Sequence, residues 1–281
     1  MAGDVGLTAL LVAAARAIEA TRPDSLAQDQ FAQHFVRAAG VDWPVSYSST
    51  VDSSPLWSRL GRYFGLRTRL LDDFIPGSAQ TVLLGAGLDT RAFRLPWPPD
   101  SHVFELDRGP VLDFKHQVLS DIGAAPLVKR TPVDTDLRGN WSAALLDAGF
   151  CPGLPTTWIA EGLLLYLSSA AETSLMRTIN TLSEPGSRLF YEIKLAVESP
   201  AVRASPLYST TLAETGIDLL ALFSENPRPD SVSLLSALGW DVSVHTCFDY
   251  TARYGAGPVP VDADPLAGNR WVIASTDPSP A

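Results

Sequence analysis

The segment TVLLGAGLDTRAFR, residues 81–94, constrains the fold more than any other part of the chain. Val82, Leu83 and Leu84 form an unbroken apolar run, the pattern of a parallel strand buried on both faces. That run leads directly into Gly85-Ala86-Gly87, where two glycines let the backbone turn tightly beside a ligand before a helix begins. A second apolar run, HVFELD, ends on Asp107. This is about twenty residues beyond the turn, where doubly wound α/β folds place the carboxylate that accepts hydrogen bonds from ribose hydroxyls. Strand, glycine turn, helix, strand and acidic end together imply an adenosine-containing ligand.

What the turn lacks narrows that ligand. A dinucleotide fingerprint continues to a third glycine beside the pyrophosphate, but GAGLDT carries Thr90 there with Asp89 just before it. A carboxylate in the phosphate cradle repels phosphate, whereas it suits a ligand bearing an ammonium and a sulfonium, namely S-adenosylmethionine. The rival on the same fold is a nicotinamide-dependent oxidoreductase, and the rival of another class is a non-catalytic ligand-binding protein.

The remaining pattern predicts one large α/β unit. Residues 1–78 read as a helical cap: Leu7, Leu10, Leu11, Ala14 and Ile18 keep helical spacing, as do Leu56, Leu60, Tyr63, Leu70 and Phe74. From residue 79 to 281, strands are predicted over 81–85, 103–106, 127–133, 157–161, 188–193, 240–246 and 270–275, with helices between most of them. Asn140 is a predicted cap for WSAALLDAG, and Ser169 with Glu172 a predicted capping box. Residues 194–232 interrupt the rhythm and read as a lid over the ligand, which such a sheet binds at the carboxyl ends of its strands. The fold class is therefore α/β, a doubly wound, seven-stranded Rossmann-like sheet with a helical cap and an inserted lid.

Composition excludes several partners. With 21 Lys+Arg against 31 Asp+Glu the net charge is −10, so no basic stripe is available for nucleic acid or an anionic membrane surface. LTALLVAAARAIEA is interrupted by Arg16 and Glu19 and is too short to span a bilayer, and no basic region precedes it; the expectation is a cytoplasmic protein. Cys151 and Cys247 lack metal-ligand spacing and read as free thiols, so no metal is expected. The scarcity of lysine, confined to Lys115, Lys129 and Lys194, suggests a GC-rich bacterial genome.

Four blocks between residues 81 and 167 carry a specific resemblance: GAGLDTRAFRL, FELDRGPVLDFKHQVL, VDTDLRGNW and WIAEGLLLYL. In this order they resemble the successive motifs of the leucine carboxyl methyltransferase family, in particular its bacterial S-adenosylmethionine-dependent O-methyltransferase branch. Weaker similarity extends to YFGLRTRLLDDFI upstream and RWVIAS downstream. The resemblance implies a class I methyltransferase fold, S-adenosylmethionine as cofactor and methyl transfer to oxygen, with a natural product or short peptide as acceptor.

It also implies site residues. Gly85 and Gly87 would let the cofactor's methionine part approach the backbone, and Asp107 would bind its ribose. Asp136 with Leu137, in DLR, would border the adenine, a role for which Asp134 competes. Arg67, in YFGLRTRLL, would pair with the cofactor's carboxylate through its planar fork. Glu161 would lie near the methionine end; a carboxylate ending an apolar strand needs a partner in any case, because a buried unpaired charge costs several kcal/mol or shifts its pKa. Tyr191 and Tyr208 are assigned to the acceptor. Of the histidines, His102 sits at the wrong end of its strand, His116 on a helix and His245 in a late strand, which leaves His34 in the cap as the possible base. With so few histidines, a carboxylate acceptor, ionised at neutral pH, is favoured over a hydroxyl.

Overall fold

The apolar runs become strands of one sheet. In the computed structural model, which describes residues 6–75, 77–194, 198–222 and 228–277, these are β1 (Gln80–Leu84), β2 (His102–Asp107), β3 (Lys129–Asp134), β4 (Thr156–Ala160), β5 (Arg188–Lys194), β6 (Asp241–His245) and β7 (Asn269–Ser275). Their order is β3-β2-β1-β4-β5-β7-β6. The first five run parallel, while β7 lies antiparallel between β5 and β6. The order reverses between β1 and β4, so the crevice beside Gly85 is the topological switch point at which such sheets bind ligands.

Strand ends differ from the sequence pattern where another bond competes. Leu127 stays outside β3 because its N–H donates to Ala92 O at 2.8 Å. Thr246 leaves β6 to cap the helix Cys247–Tyr254 in a capping box with Asp249. The two predicted caps are corrected. Asn140 occupies the cap position of Trp141–Asp147 without a capping bond, its Oδ1 accepting from Ser142 Oγ at 3.1 Å instead. The helix Ser169–Thr181 is capped one residue earlier, by Ser168, and Glu172 turns inward to Arg228 at 2.9 Å.

Two apolar layers sandwich the sheet. One face holds Val82, Phe104, Trp158 and Tyr191 against the helices Trp141–Asp147 and Ser169–Thr181. On the other, Leu83, Ile159, Phe190 and Trp271 pack with the N-terminal helices α1 (Leu7–Ala20), α2 (Ala32–Ala38) and α4 (Trp57–Phe74); α3 (Ser49–Ser53) is a single turn before α4. Alternate strand residues divide between these layers because a strand's side chains point in turn to opposite faces. Within 198–222 the predicted lid forms three short helices, Pro200–Arg203, Pro206–Thr215 and Leu219–Leu222; residues 195–197 and 223–227 lie outside the described residues. Among the described residues, no helix is long and apolar enough to cross a membrane.

Candidate active site

A cavity of about 400 Å³ opens over the carboxyl ends of β1, β4 and β5, lined also by the start of α1 and by residues of the helices Pro206–Thr215 and Leu219–Leu222. At one end the chain leaves β1 through Gly85 and Gly87, with φ of +68° and +46°. A Cβ on Gly85 would stand 3.1 Å from Leu163 Cδ1, so close passage as well as the turn requires glycine. Gly87 N–H donates to Asp107 Oδ2 at 2.7 Å, and Arg108 N–H donates to Asp107 Oδ1 at 2.8 Å. Asp107 thereby locks the loop to the end of β2. Each carboxylate oxygen can accept a further bond, and the side chain lines the cavity.

The cavity's inner wall is built from ion pairs. Glu161, just beyond β4, accepts from Arg67 Nη2 and Arg91 Nη1, both at 2.9 Å. Arg91, on the short helix Arg91–Arg94, also pairs with Asp72 at 2.9 Å and with Asp89. Arg67 reaches Glu192 of β5 through Nη1 at 2.5 Å. Burial alone would favour protonated Glu161, but the Arg67 and Arg91 guanidiniums outweigh it and hold this carboxyl down at about 2. Asp89 shows the same balance, with Arg91 lowering it against the effect of burial. Glu192 also accepts from the Tyr63 hydroxyl, and burial first, then the Glu192 charge, raises the Tyr63 phenol well above its ordinary value.

Toward the lid the wall becomes apolar, with Leu207, Leu219, Leu222 and Leu266. Lys194 interrupts it: paired with Glu198, its ammonium donates to Pro265 O at 3.2 Å and to the Tyr208 hydroxyl at 3.3 Å. In the β5–β7 register Lys194 stands opposite Asn269, and Glu192 opposite Trp271.

This architecture agrees with relatedness. The family model for leucine carboxyl methyltransferase matches residues 9–180. The chain belongs to the leucine carboxyl methyltransferase family. It is 56% identical over 282 residues to a Streptomyces coelicolor protein named "putative S-adenosyl-L-methionine-dependent methyltransferase", covering 97% of this chain and 93% of that one. A Rhodococcus jostii protein named in the same way is 44% identical, with 91% and 89% covered. Among solved structures, a DUF574 family protein from Streptomyces avermitilis superposes with a TM-score of 0.55 at 13% identity, covering 95% of this chain and 97% of that chain, which establishes likeness of fold. The protein is an S-adenosylmethionine-dependent methyltransferase. Membership replaces the nicotinamide-dependent reading of the glycine turn.

Of the residues expected to serve this methyltransferase, Arg67, Gly85, Gly87, Asp107, Glu161 and Tyr208 line the cavity. Four others do not. Tyr191 sits on the opposite face of β5 in the second apolar layer, because Glu192 and Lys194 take the cavity side of the alternating strand; burial lifts its phenol to about 12. His34 is half-buried on α2, whose inward positions are taken by Phe35 and Val36. Asp136 turns to Arg138, whose Nη2 donates to Oδ2 at 2.5 Å and whose hydrogen bonds hold the carboxyl at about 2. Leu137 packs in the second apolar layer, and the competing Asp134 accepts from Gly109 N–H at 2.7 Å.

Sequence reasoning misses Arg91, Tyr63 and Glu192 as site residues. For Glu192 a signal exists: a lone acid within LFYEIK needs a partner for the same reason as Glu161. Asp89 comes just before the helix that Arg91 opens, where ordinary dipole compensation explains an acidic residue, so the pair carries no signal of its own.

Proposed function

We propose that this methyltransferase acts on oxygen, favouring a carboxylate over a hydroxyl, with a small organic acid or short peptide as acceptor. The observation that carries this reading is the lining of the cavity: among the described residues no histidine lines it, Asp89, Glu161 and Glu192 are each tied to arginine, and Asp107 is engaged by the glycine loop. An acceptor carboxylate, which titrates at about pH 4, is already nucleophilic at pH 7, whereas a phenol, which titrates at about pH 10, needs its proton removed.

The residues fit the cofactor. Gly85 and Gly87 hold the left-handed backbone that bends the loop around the cavity, a Cβ at Gly85 would press on Leu163, and Arg67 Nε is buried without a partner among the described residues. Bound S-adenosylmethionine supplies an electrophilic methyl on a sulfonium. Asp107 would accept from the ribose hydroxyls, Arg67 would donate to the carboxylate, and Glu161 would face the methionine end. Asp136 and Leu137 would border the adenine from the loop after β3. The cap, residues 1–78, and the lid, 194–232, would enclose the acceptor, with Tyr208 touching it. Enclosure excludes water and holds nucleophile and methyl in line, which supplies most of the acceleration such a transfer needs.

We read it as a cytoplasmic enzyme of bacterial natural product biosynthesis, of which its relatives in Streptomyces and Rhodococcus support the bacterial origin. The deciding experiment incubates the protein with methyl-labelled cofactor and a panel of organic acids, phenols and alcohols. Label released as methanol by mild alkali marks an ester and is the expected result; label stable to alkali, on phenols or alcohols, overturns the carboxylate reading.

A further inference from the structure

Glu192 has no part in the contacts proposed above, yet it sits at the centre of a closed polar cluster. It lines the cavity at 5% exposure. Its Oε2 accepts from Arg67 Nη1 at 2.5 Å; its Oε1 accepts from the Tyr63 hydroxyl and from Trp271 Nε1 at 3.4 Å. The Tyr63 oxygen accepts in turn from Asn269 Nδ2 at 3.0 Å and Trp271 Nε1 at 3.1 Å. With its hydroxyl proton and both lone pairs engaged, Tyr63 is fixed, and through it so is Glu192.

The consequence falls on Arg67. A guanidinium is a rigid planar fork. Nη1 is held by Glu192 and Nη2 by Glu161, and the ring of Phe64 lies 4.7 Å from its central carbon. Tethering two nitrogens to separate elements fixes the plane of the fork and the direction of the remaining N–H groups. A donor held in this way loses little freedom when a ligand arrives. Apolar residues at 192 and 63 would pack the core equally well but would leave Arg67 anchored on one side.

We infer that Glu192, braced by Tyr63, is a positioning residue that holds Arg67 in place for the carboxylate of the cofactor's methionine end. The inference rests on the proposed contact between Arg67 and that carboxylate.

The test is calorimetry on the full chain with three ligands: S-adenosylmethionine, S-adenosylhomocysteine and 5′-methylthioadenosine, the last lacking the amino acid part. Glu192→Gln keeps the size and removes the charge. It should weaken the first two by about tenfold, the scale of one charge-assisted hydrogen bond, and leave methylthioadenosine unchanged. Glu192→Asp should restore part of the loss. Equal weakening of all three ligands would make Glu192 merely structural, and unchanged or tighter binding of S-adenosylhomocysteine would mean that it competes for Arg67; either result overturns the inference. Arg67→Lys tests the underlying reading separately. If that variant binds S-adenosylhomocysteine normally, the Arg67 contact itself fails; if it binds poorly while Glu192→Gln binds normally, only the role of Glu192 fails. Should Glu192→Gln not fold, Tyr63→Phe retains the carboxylate and must show the same ligand-selective loss at smaller size; normal binding by Tyr63→Phe overturns the inference.

Discussion

The glycine loop and the ion-paired wall face each other across one cavity but are held by opposite means. The loop is backbone geometry: a turn through Gly85 and Gly87, secured by one carboxylate, Asp107, that accepts two N–H groups. The wall is mutual neutralisation, with Asp72, Asp89, Glu161 and Glu192 interleaved with Arg67, Arg91 and Arg94 from separate elements. A change in the loop should act on what the protein binds. A change in the wall leaves a charge buried without its partner, and so should cost folding stability in addition to any effect on binding.

The largest effect should come from the wall. Arg91, 1% exposed, is the shared partner of Asp72, Asp89 and Glu161. Arg91→Met keeps the apolar stem but strands Asp89 and leaves Asp72 and Glu161 to Arg94 and Arg67 alone, and should cost about 3–5 kcal/mol of unfolding free energy. Urea unfolding at neutral pH reads this directly. A loss below about 1 kcal/mol would mean that the wall behaves like surface ion pairs and that the contrast with the loop is false.

The loop should respond in affinity. Asp107→Ala removes the bonds proposed to the ribose together with the lock on Gly87, and should weaken S-adenosylhomocysteine binding by about 1–3 kcal/mol. Because Asp107 lies at the cavity edge and neutralises no buried arginine, its urea midpoint should move far less than that of Arg91→Met. Isothermal titration and the same unfolding assay, run on both variants, sharpen the comparison: a fold-destabilising Asp107→Ala that still binds normally would invert it.

The two regions also differ in how far they can be read from the chain. The loop is local: strand, glycines and Asp107 fall within residues 81–107, where apolar run and turn chemistry act on neighbours. All seven strands are visible for the same reason, though each has an end shifted, most plainly where Leu127 and Thr246 find other partners. The wall is assembled by the sheet order, which brings β5 and β7 beside α4; no spacing in the sequence announces that Tyr63 will meet Glu192 or Trp271. In β5 the alternation of LFYEIK groups Glu192 and Lys194 on one face and Leu189, Tyr191 and Ile193 on the other, but which face meets the cavity depends on the layer that covers each. Arg67 can be named from the family motif, but its pairing with two carboxylates cannot.

The smallest expected effect is none, and it bears on the acceptor. His34 is the one histidine that the sequence gives a conceivable route to the site, yet on α2 it stays half-buried and outside the cavity. If the acceptor is a carboxylate, its nucleophilic form is fully present through the range in which a histidine titrates. Glu161 does not titrate there either, since it is held at about 2, far below neutrality. The single-turnover rate should therefore be flat from about pH 6 to 9 with a carboxylic acid found by the labelling screen, and His34→Ala should superimpose on the wild type. A hydroxyl acceptor predicts the opposite behaviour, a rate that climbs with pH as a base or the acceptor itself loses its proton. A rise abolished by His34→Ala would require α2 to close over the cavity during turnover, and would replace ester formation with base-assisted ether formation. A rise that persists in His34→Ala would instead locate the titrating group in the acceptor, leaving the ion-paired wall as a scaffold and the loop as the cofactor's seat.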